Sequence, residues 1–171
     1  MTASPAAADL PHRLRVGGQD HVVDRATADD VAAIVALLRD DLLGAAREPG
    51  TADDVAAYLR AFQEIDADPH QLLVVLRRPD GAVVATLQLT FLRTLSRGGG
   101  LRMQVGAVRV ASAERGAGLG QALLGWATDH GRARGAVLAQ LTTDRRRVKA
   151  HRFYERLGWV DSHRGMKLDL T

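Results

Sequence analysis

Apolar side chains recur every three or four positions in the first part of the chain, which is the period of an amphipathic helix. The pattern predicts two helices, at about residues 28–43 and 52–65. Each begins within a copy of the heptapeptide TADDVAA, where Thr suits the N-cap and the acidic residues suit the first turn. Because nothing outside the heptapeptides matches, we interpret them as two helix starts and not as an internal repeat.

Beyond residue 70 the apolar period falls to two, which is typical of half-buried strands. The alternation predicts three strands, at residues 71–78, 82–92 and 101–110. The turn Pro79-Asp80-Gly81 separates the first two, and Asp-Gly between β-rich runs favours a hairpin, so these strands are expected to be antiparallel. Gly106 inside the third strand indicates a bulge or a close approach of another backbone.

Helical and extended patterns alternate in the last third of the chain. They predict a helix at about 118–133, a strand at 136–143, a helix at about 146–157 and a closing pair of strands divided near Ser162. The complete order is β-αα-βββ-α-β-α-ββ, which is typical of an α/β domain with a mixed, mostly antiparallel sheet and helices on both faces. We expect one such domain over residues 20–171, preceded by a flexible leader over residues 1–19.

Composition narrows the classes of protein that fit this architecture. The 171 residues contain 46% hydrophobic and 25% charged side chains, as expected of a globular domain. The absence of cysteine excludes a disulfide framework, Cys-based zinc sites and thiol catalysis. Together with the lack of a signal-peptide pattern, it favours a cytoplasmic location. No apolar run approaches the ~20 residues that cross a membrane.

Positive charge is concentrated in residues 145–156, RRRVKAHRFYER. This segment contains six Arg or Lys and one Glu, whereas the whole chain has a formal net charge of +3. Such a cluster is typical of a nucleic-acid surface, of a site for a small polyanion, or of a solvated helix face. All three interpretations fit the segment when it is taken by itself.

A glycine-rich segment, ERGAGLGQ at residues 114–121, joins a predicted strand to the following helix. Backbone N–H groups at a helix start attract an anion, and glycine lets the anion approach closely. A Walker A loop is excluded because Gln121 and Ala122 stand where that motif has Lys and Ser or Thr. A dinucleotide fingerprint is excluded because Gln121 or Leu123 stands where its last glycine is required. The remaining interpretations are another phosphate site, to which Arg115 adds a charge-assisted contact, and a turn without a ligand.

The stretch with Arg115-x-x-Gly118-x-Gly120 resembles motif A of the GNAT family of N-acetyltransferases, in which Arg/Gln-x-x-Gly-x-Gly/Ala binds the pyrophosphate of acetyl-coenzyme A. The stretch AHRFYERLGW, at residues 150–159, is similar to the family's Ala-x-x-Phe-Tyr-x-x-x-Gly-Phe, with Trp159 as the final aromatic. The separation of the two motifs and the order of elements from about residue 20 also match that family.

The resemblance implies an enzyme that transfers the acetyl group of acetyl-coenzyme A to a primary amine of a small molecule or a peptide. It assigns coenzyme binding to these residues: Val108, Arg109, Val110, Arg115, Gly116, Ala117, Gly118, Leu119, Gly120, Gln121 and Arg147. A backbone amide of residues 108–110 is expected to stabilise the oxyanion. Tyr154 is assigned as the general acid, because a phenol with a reference pKa of ~10 is protonated at neutral pH and can protonate the departing thiolate.

Two positions depart from the family pattern. Several members have Glu eleven residues before the motif A Arg or Gln, and this chain has Gln104 there, which cannot accept a proton. The general base is then expected to be water or a carboxylate near the end of the second helix, for which the candidates are Glu64, Asp66 and Asp68. Arg147 stands where many relatives have Asn, so we expect it to contact either the coenzyme phosphates or solvent.

Further expectations concern ligands and partners. No pair of the six histidines has the His-x-x-x-His spacing of metal ligands, so we expect no metal site. We also expect no nucleic-acid or membrane partner, and the resemblance alone implies a homodimer. Gln104 keeps open a coenzyme-binding protein without transferase activity, and the basic segment keeps open a nucleic-acid module. Three acidic residues are candidates to attract a cationic amine: Asp40, Asp41 and Glu48.

Overall fold

The structure is a computed structural model, and it describes residues 9–40 and 52–170. The strands are β1 His12–Val16, β2 Gln19–Arg25, β3 Gln71–Arg77, β4 Val83–Arg93, β5 Leu101–Val110 and β6 Ala136–Leu141. The helices of more than one turn are α1 Val31–Arg39, α2 Ala52–Ala67, α3 Leu119–Ala133 and α4 Val148–Arg156. The six strands form one sheet in sequence order, and β1 to β5 pair antiparallel with their neighbours. The predicted α/β architecture with a mostly antiparallel sheet is confirmed.

The N-terminal segment differs from the prediction. Residues 12–16 form β1, which pairs with β2 across the turn Gly17-Gly18, so the expectation of a flexible leader over residues 1–19 is wrong for this segment. The sequence HRLRV explains the strand, because its alternate side chains are half-buried and the two arginines between them are exposed. Residues 1–8 lie outside the described part of the chain.

The C-terminal segment also differs from the prediction. Residues 159–170 contain no strand, so the predicted closing pair divided near Ser162 is not formed. The apolar side chains after Trp159 are more than 80% exposed, at Val160, Met166, Leu168 and Leu170. A strand pair is stable when it buries an apolar face, and beyond the half-buried Trp159 this segment buries none.

The first TADDVAA heptapeptide begins a helix, as its N-cap pattern predicts. Asp30 Oδ2 accepts hydrogen bonds from the Thr27 amide at 2.8 Å, the Thr27 hydroxyl at 3.0 Å and Arg77 Nη2 at 2.7 Å. These three donors offset the cost of burying the Asp30 carboxylate. Thr51, the predicted N-cap of the second helix, and residues 41–43 of the first predicted helix lie outside the described residues.

One face of the sheet packs against α3. Its buried side chains include Leu89, Phe91, Met103 and Val105, all at most 3% exposed. The Phe91 ring centroid lies 6.1 Å from that of His130 in α3. A Cβ added to Gly131 of α3 would stand 2.6 Å from Met103 Sδ, so helix and sheet are in close contact there.

The opposite face of the sheet is covered by α1 and α2. Its core consists of Ala26, Val31, Ile34, Phe62 and Val75. Alternation along β3 places Gln71 and Leu73 on the same face as Val75. Leu73 packs against this core, whereas the half-buried Gln71 begins a polar part of the same face.

Candidate active site

The glycine-rich segment between β5 and α3 has the geometry of an anion-binding loop. Gly116 and Gly118 both have φ of +89°, a left-handed conformation that favours glycine. Gly118 is the N-cap of α3, so the N–H groups of residues 119–121 belong to a first turn that offers them no acceptor within the helix. A Cβ at Gly116 would meet no heavy atom within 4 Å, so there is open space beside the loop. The loop therefore combines helix-start N–H groups with room for an anion.

The Arg115 side chain is engaged within the protein. Its Nε donates to the Val110 carbonyl oxygen at 3.1 Å, and its Nη2 donates to the Asp40 carbonyl oxygen at 2.6 Å and to Asp40 Oδ2 at 3.1 Å. Asp40 was a candidate to attract a cationic amine, and in the structure it contacts the glycine-rich segment through Arg115. Asp41 and Glu48 lie outside the described residues.

Strand β5 contains a bulge just before the loop, as Gly106 indicated. Gly106 pairs with Gln88 of β4, and Arg109 pairs with Thr86, so β5 has one more residue than β4 between these pairs. Ala107, inside the bulge, has φ of +51°. Val108 has no partner in the β4 register, and its carbonyl oxygen accepts a hydrogen bond from Arg109 Nη1 at 2.9 Å.

Four half-buried glutamines, here called the amide row, lie on neighbouring strands: Gln71, Gln88, Gln104 and Gln140. The register pairs Thr90 with both Gln71 and Gln104, which places these three side chains on the face that α1 and α2 partly cover. Gln88 Nε2 donates to Gln71 Oε1 at 2.7 Å, and Gln140 Nε2 donates to Gln104 Oε1 at 2.9 Å. Gln104 therefore receives its side-chain hydrogen bond from an uncharged amide.

The amide row as a set was missed in the sequence. The available signal was a glutamine in each of four apolar strands, at a position where a second apolar face would place an aliphatic residue. Period-two alternation by itself predicts that side chains at such positions face solvent.

The three carboxylates considered as a general base have different surroundings. A hydrogen bond from the Gln71 side chain at 3.0 Å, and then one from the His70 amide at 2.8 Å, hold the pKa of Asp68 below its usual range. Asp66 Oδ1 forms an ion pair with Arg25 at 3.3 Å, and Glu64 is exposed on α2. Of these three residues, Asp68 is the one that contacts the amide row, and its low pKa makes it a weak base.

Tyr154 lies in the second of two compact units into which the chain divides, Leu141–Thr171. It is half-buried near the end of α4, with its ring centroid 5.3 Å from that of Phe153 and 6.1 Å from that of Trp159. The Tyr154 carbonyl oxygen accepts from the amides of Leu157 at 3.0 Å and Trp159 at 3.1 Å. These contacts fix the backbone and ring of Tyr154, and its role as an acid stays a prediction.

The basic segment in the same unit is partly neutralised. Arg146 binds Asp144 through Nε to Oδ1 at 3.0 Å and through Nη2 to Oδ2 at 2.9 Å, which raises the pKa of Arg146. Arg147 is the N-cap of α4, and its carbonyl oxygen accepts from the amides of Ala150 at 2.9 Å and His151 at 3.1 Å. The predicted contact of the Arg147 side chain with the coenzyme stays a prediction.

The described residues contain neither a metal cluster nor a membrane-spanning helix. Within residues 9–40 and 52–170, no group of three or more His, Cys, Asp or Glu side chains is arranged to hold a metal ion. None of the helices in this part of the chain has the length and apolar character needed to span a membrane.

Comparison with a family model matches residues 31–159 to the acetyltransferase (GNAT) family. Among curated proteins, the aminoalkylphosphonate N-acetyltransferase of Salmonella typhimurium is 47% identical over 49 residues. These residues are 29% of this chain and 32% of that protein, so the match spans about a third of the relative's length.

Solved structures resemble most of the chain. A transcriptional regulator from Bacillus halodurans is 39% identical, with a TM-score of 0.83 over 88% of this chain and 99% of that one. Glucosamine-6-phosphate N-acetyltransferase from Arabidopsis thaliana has a TM-score of 0.73 over 88% of this chain and 99% of that one. Its identity of 21% makes the second likeness one of fold alone.

Proposed function

The chain belongs to the acetyltransferase (GNAT) family, and from this premise we propose that it transfers an acetyl group from acetyl-coenzyme A to a primary amine. The observation that carries the proposal is the loop over residues 116–121, where two left-handed glycines precede the first turn of α3 beside open space. A pyrophosphate group has the charge and size that such a set of N–H groups accommodates. The transfer breaks the thioester bond, forms an amide and leaves a thiol.

The coenzyme is proposed to follow the end of β5 into the loop. Residues Gly116, Ala117, Gly118, Leu119, Gly120 and Gln121 hold the pyrophosphate through their backbone. Val108, Arg109 and Val110 offer backbone groups to the arm of the coenzyme and to the thioester carbonyl. The bulge supports this assignment, because it takes Val108 out of the β4 register next to the loop.

Tyr154 is proposed to protonate the thiolate that leaves. A phenol with the reference pKa of ~10 carries its proton at neutral pH and can give it to a departing group that is a strong base. The aromatic neighbours Phe153 and Trp159 support the proposal because they pack against the Tyr154 ring. Arg147 is proposed to add a positive charge for the coenzyme phosphates.

The acceptor amine is proposed to lie on the amide row. Gln104 offers hydrogen bonds to the substrate but takes no proton, and Asp68 is held as a carboxylate of low basicity. We therefore assign removal of the amine proton to water. Aminoalkylphosphonates are the first substrate class to test, since a relative with partial coverage is an aminoalkylphosphonate N-acetyltransferase.

The test measures thiol release from acetyl-coenzyme A with a colorimetric thiol reagent, which the cysteine-free chain does not consume. The amines are 2-aminoethylphosphonate, glucosamine 6-phosphate, spermidine and a lysine-containing peptide, and mass spectrometry identifies the product. We expect amine-dependent release, and a loss of about 100-fold or more in kcat for Tyr154→Phe. Tyr58→Phe on α2 is the matched control. Absence of release with every amine, while the coenzyme still stabilises the protein, would overturn the proposal.

A second candidate function is a regulator that binds the coenzyme without turnover. Two features favour it: the 39% identical structure is that of a transcriptional regulator, and Gln104, which cannot accept a proton, stands where the family pattern of several members has Glu. This candidate predicts thermal stabilisation by coenzyme A without thiol release. It also predicts DNA binding that weakens steeply with salt and changes when the coenzyme is added. The cytoplasmic location and the homodimer stay predictions.

A further inference from the structure

Arg115 connects the glycine loop to the end of α1. Its guanidinium donates to both the main-chain and the side-chain oxygen of Asp40, the residue that follows α1, and to the Val110 carbonyl at the end of β5. Three hydrogen bonds thus join one side chain to residues that are 75 and 5 positions away in the sequence.

Asp40 also holds the backbone in front of the loop. The Ser112 amide donates to Asp40 Oδ2 at 2.6 Å, so this oxygen accepts from a backbone group and from Arg115 together. The turn Ser112–Glu114 has a second attachment, an ion pair of 3.2 Å between Glu114 and Arg78. The four residues before Gly116 are therefore fixed to two other parts of the same compact unit.

These contacts compete with a direct role for Arg115 at a phosphate. Nε and Nη2 already donate to oxygens of the protein, which leaves Nη1 as the nitrogen that can reach a phosphate without breaking these contacts. Turning Nε or Nη2 toward a phosphate would break the bonds that fix the loop. The N–H groups of residues 119–121 carry no such cost, because a helix provides no acceptor for its first turn.

We propose that Asp40 is a positioning residue for the coenzyme. It holds Arg115 and Ser112 so that the glycine loop presents its N–H groups to the pyrophosphate, and the Arg115 side chain braces the loop instead of binding the phosphates. The inference rests on the proposed function, since it takes the loop as the coenzyme site. It assigns to Asp40 an effect on coenzyme affinity, exerted through Arg115 and Ser112.

The direction in which Asp40→Ala changes coenzyme affinity tests the proposed hold of Asp40 on Arg115 and Ser112, here called the brace. Calorimetry would measure the Kd of coenzyme A for Asp40→Ala, Arg115→Ala and the double variant. We expect each single variant to bind about tenfold more weakly, as for loss of a charged hydrogen bond, and the double variant to bind no more weakly than the worse single. Asp40→Asn, whose amide oxygen still accepts from Ser112, should recover part of the affinity. If Arg115 binds the phosphates itself, Asp40→Ala tightens binding or leaves it unchanged, and the brace is overturned.

A second measurement separates the brace from the proposed function. Hydrogen exchange of residues 111–118 without coenzyme should be faster in Asp40→Ala than in the unmodified protein. Asp129→Ala is the matched control, because it removes a carboxylate paired with Arg132 at 2.7 Å on α3 and changes the net charge equally. In turnover assays Asp40→Ala should raise KM for acetyl-coenzyme A while kcat stays close to that of the control.

The two proposals fail in different ways. If the unmodified protein binds no coenzyme A, the proposed function is wrong, and hydrogen exchange then decides the brace by itself. Unchanged exchange of residues 111–118 in Asp40→Ala overturns the brace whether or not the coenzyme binds.

Discussion

The two faces of the sheet are built from the same strands but carry different side chains. Toward α3, Leu89, Met103 and Val105 are at most 2% exposed and pack directly on the helix. Toward α1 and α2, Val75 is buried in an apolar core, but the face continues into the amide row. Both faces therefore bury apolar surface, and only the face toward α1 and α2 also has a polar part that is suited to recognition.

The polar part of the second face is stabilised by hydrogen bonds between its own members. Gln71 donates to Asp68 and accepts from Gln88, and Gln104 accepts from Gln140. Half-buried amides that pair in this way keep each other's orientation without introducing a net charge. We expect substitutions on this face to change function more than stability, and substitutions on the α3 face to do the reverse.

The largest effect on stability is expected at Leu89, which is compared with its neighbour Gln88 on the opposite face of β4. Leu89→Ala should lower the free energy of unfolding by about 3 kcal/mol, because it removes buried methyl groups and leaves a cavity. Gln88→Ala, its control on the half-buried face, should cost less than about 1 kcal/mol. Urea denaturation measures both. Equal losses would show that the two faces contribute alike.

A smaller loss is expected at the margin of the α1 and α2 face. Asp30→Ala should lower the free energy of unfolding by about 2 kcal/mol, since it leaves Arg77 and the Thr27 amide without their shared acceptor. The exposed neighbour Asp29→Ala is the control, with an expected loss within about 0.5 kcal/mol. Thermal or urea unfolding distinguishes them, and indistinguishable curves would remove the structural role of Asp30.

Gln104→Glu tests whether the polar part of the face lacks a general base. If the site lacks a base, a carboxylate there should raise kcat by about tenfold, or about 1.4 kcal/mol, at pH values where it is ionised. Gln140 can still donate to this carboxylate from its present position. Gln88→Glu changes the charge of the same face and serves as the control. The same pH–rate profile for both variants would contradict a specific place for Gln104.

The smallest effect concerns the pH dependence of stability at Asp68. Its pKa in the folded protein lies below its ordinary value of 3.8, so folding favours the carboxylate. The stabilisation is complete above the unfolded value and is lost as the pH falls through the lower, folded value. The thermal midpoint should therefore be slightly higher for the unmodified protein than for Asp68→Asn at pH 7, and the difference should vanish in acid. A difference that grows as the pH falls would reverse the assignment, with Asp29→Asn as the control.

Most helices and strands were predictable because their signals are local. The hairpin at Pro79-Asp80-Gly81, the helix after Gly118 and the bulge after Gly106 each depend on a few neighbouring residues. The ends of the chain were not predictable in the same way. The segment HRLRV pairs with β2, whereas the apolar residues near the C-terminus stay exposed, and both outcomes depend on what surface is available for burial.

The candidate site likewise contains features that were predictable from the sequence and contacts that were not. Gly116 and Gly118 were recognisable from the sequence, because a left-handed turn before a helix requires glycine at those positions. The link between Asp40 and Arg115 was not recognisable, since the two residues are 75 positions apart. The same is true of Gln71 and Gln88, whose contact depends on the register of β3 and β4.

The sequence by itself determined the loop, the order of the central elements and the family, because glycine conformation and apolar period act over a few residues. Tertiary structure alone decided which side chains meet around the loop and along the amide row. Those contacts depend on strand register and on the position where α1 ends, and neither quantity has a local signal. Arg115 is an example: the sequence motif identifies the residue, but only the tertiary structure shows that it contacts Asp40.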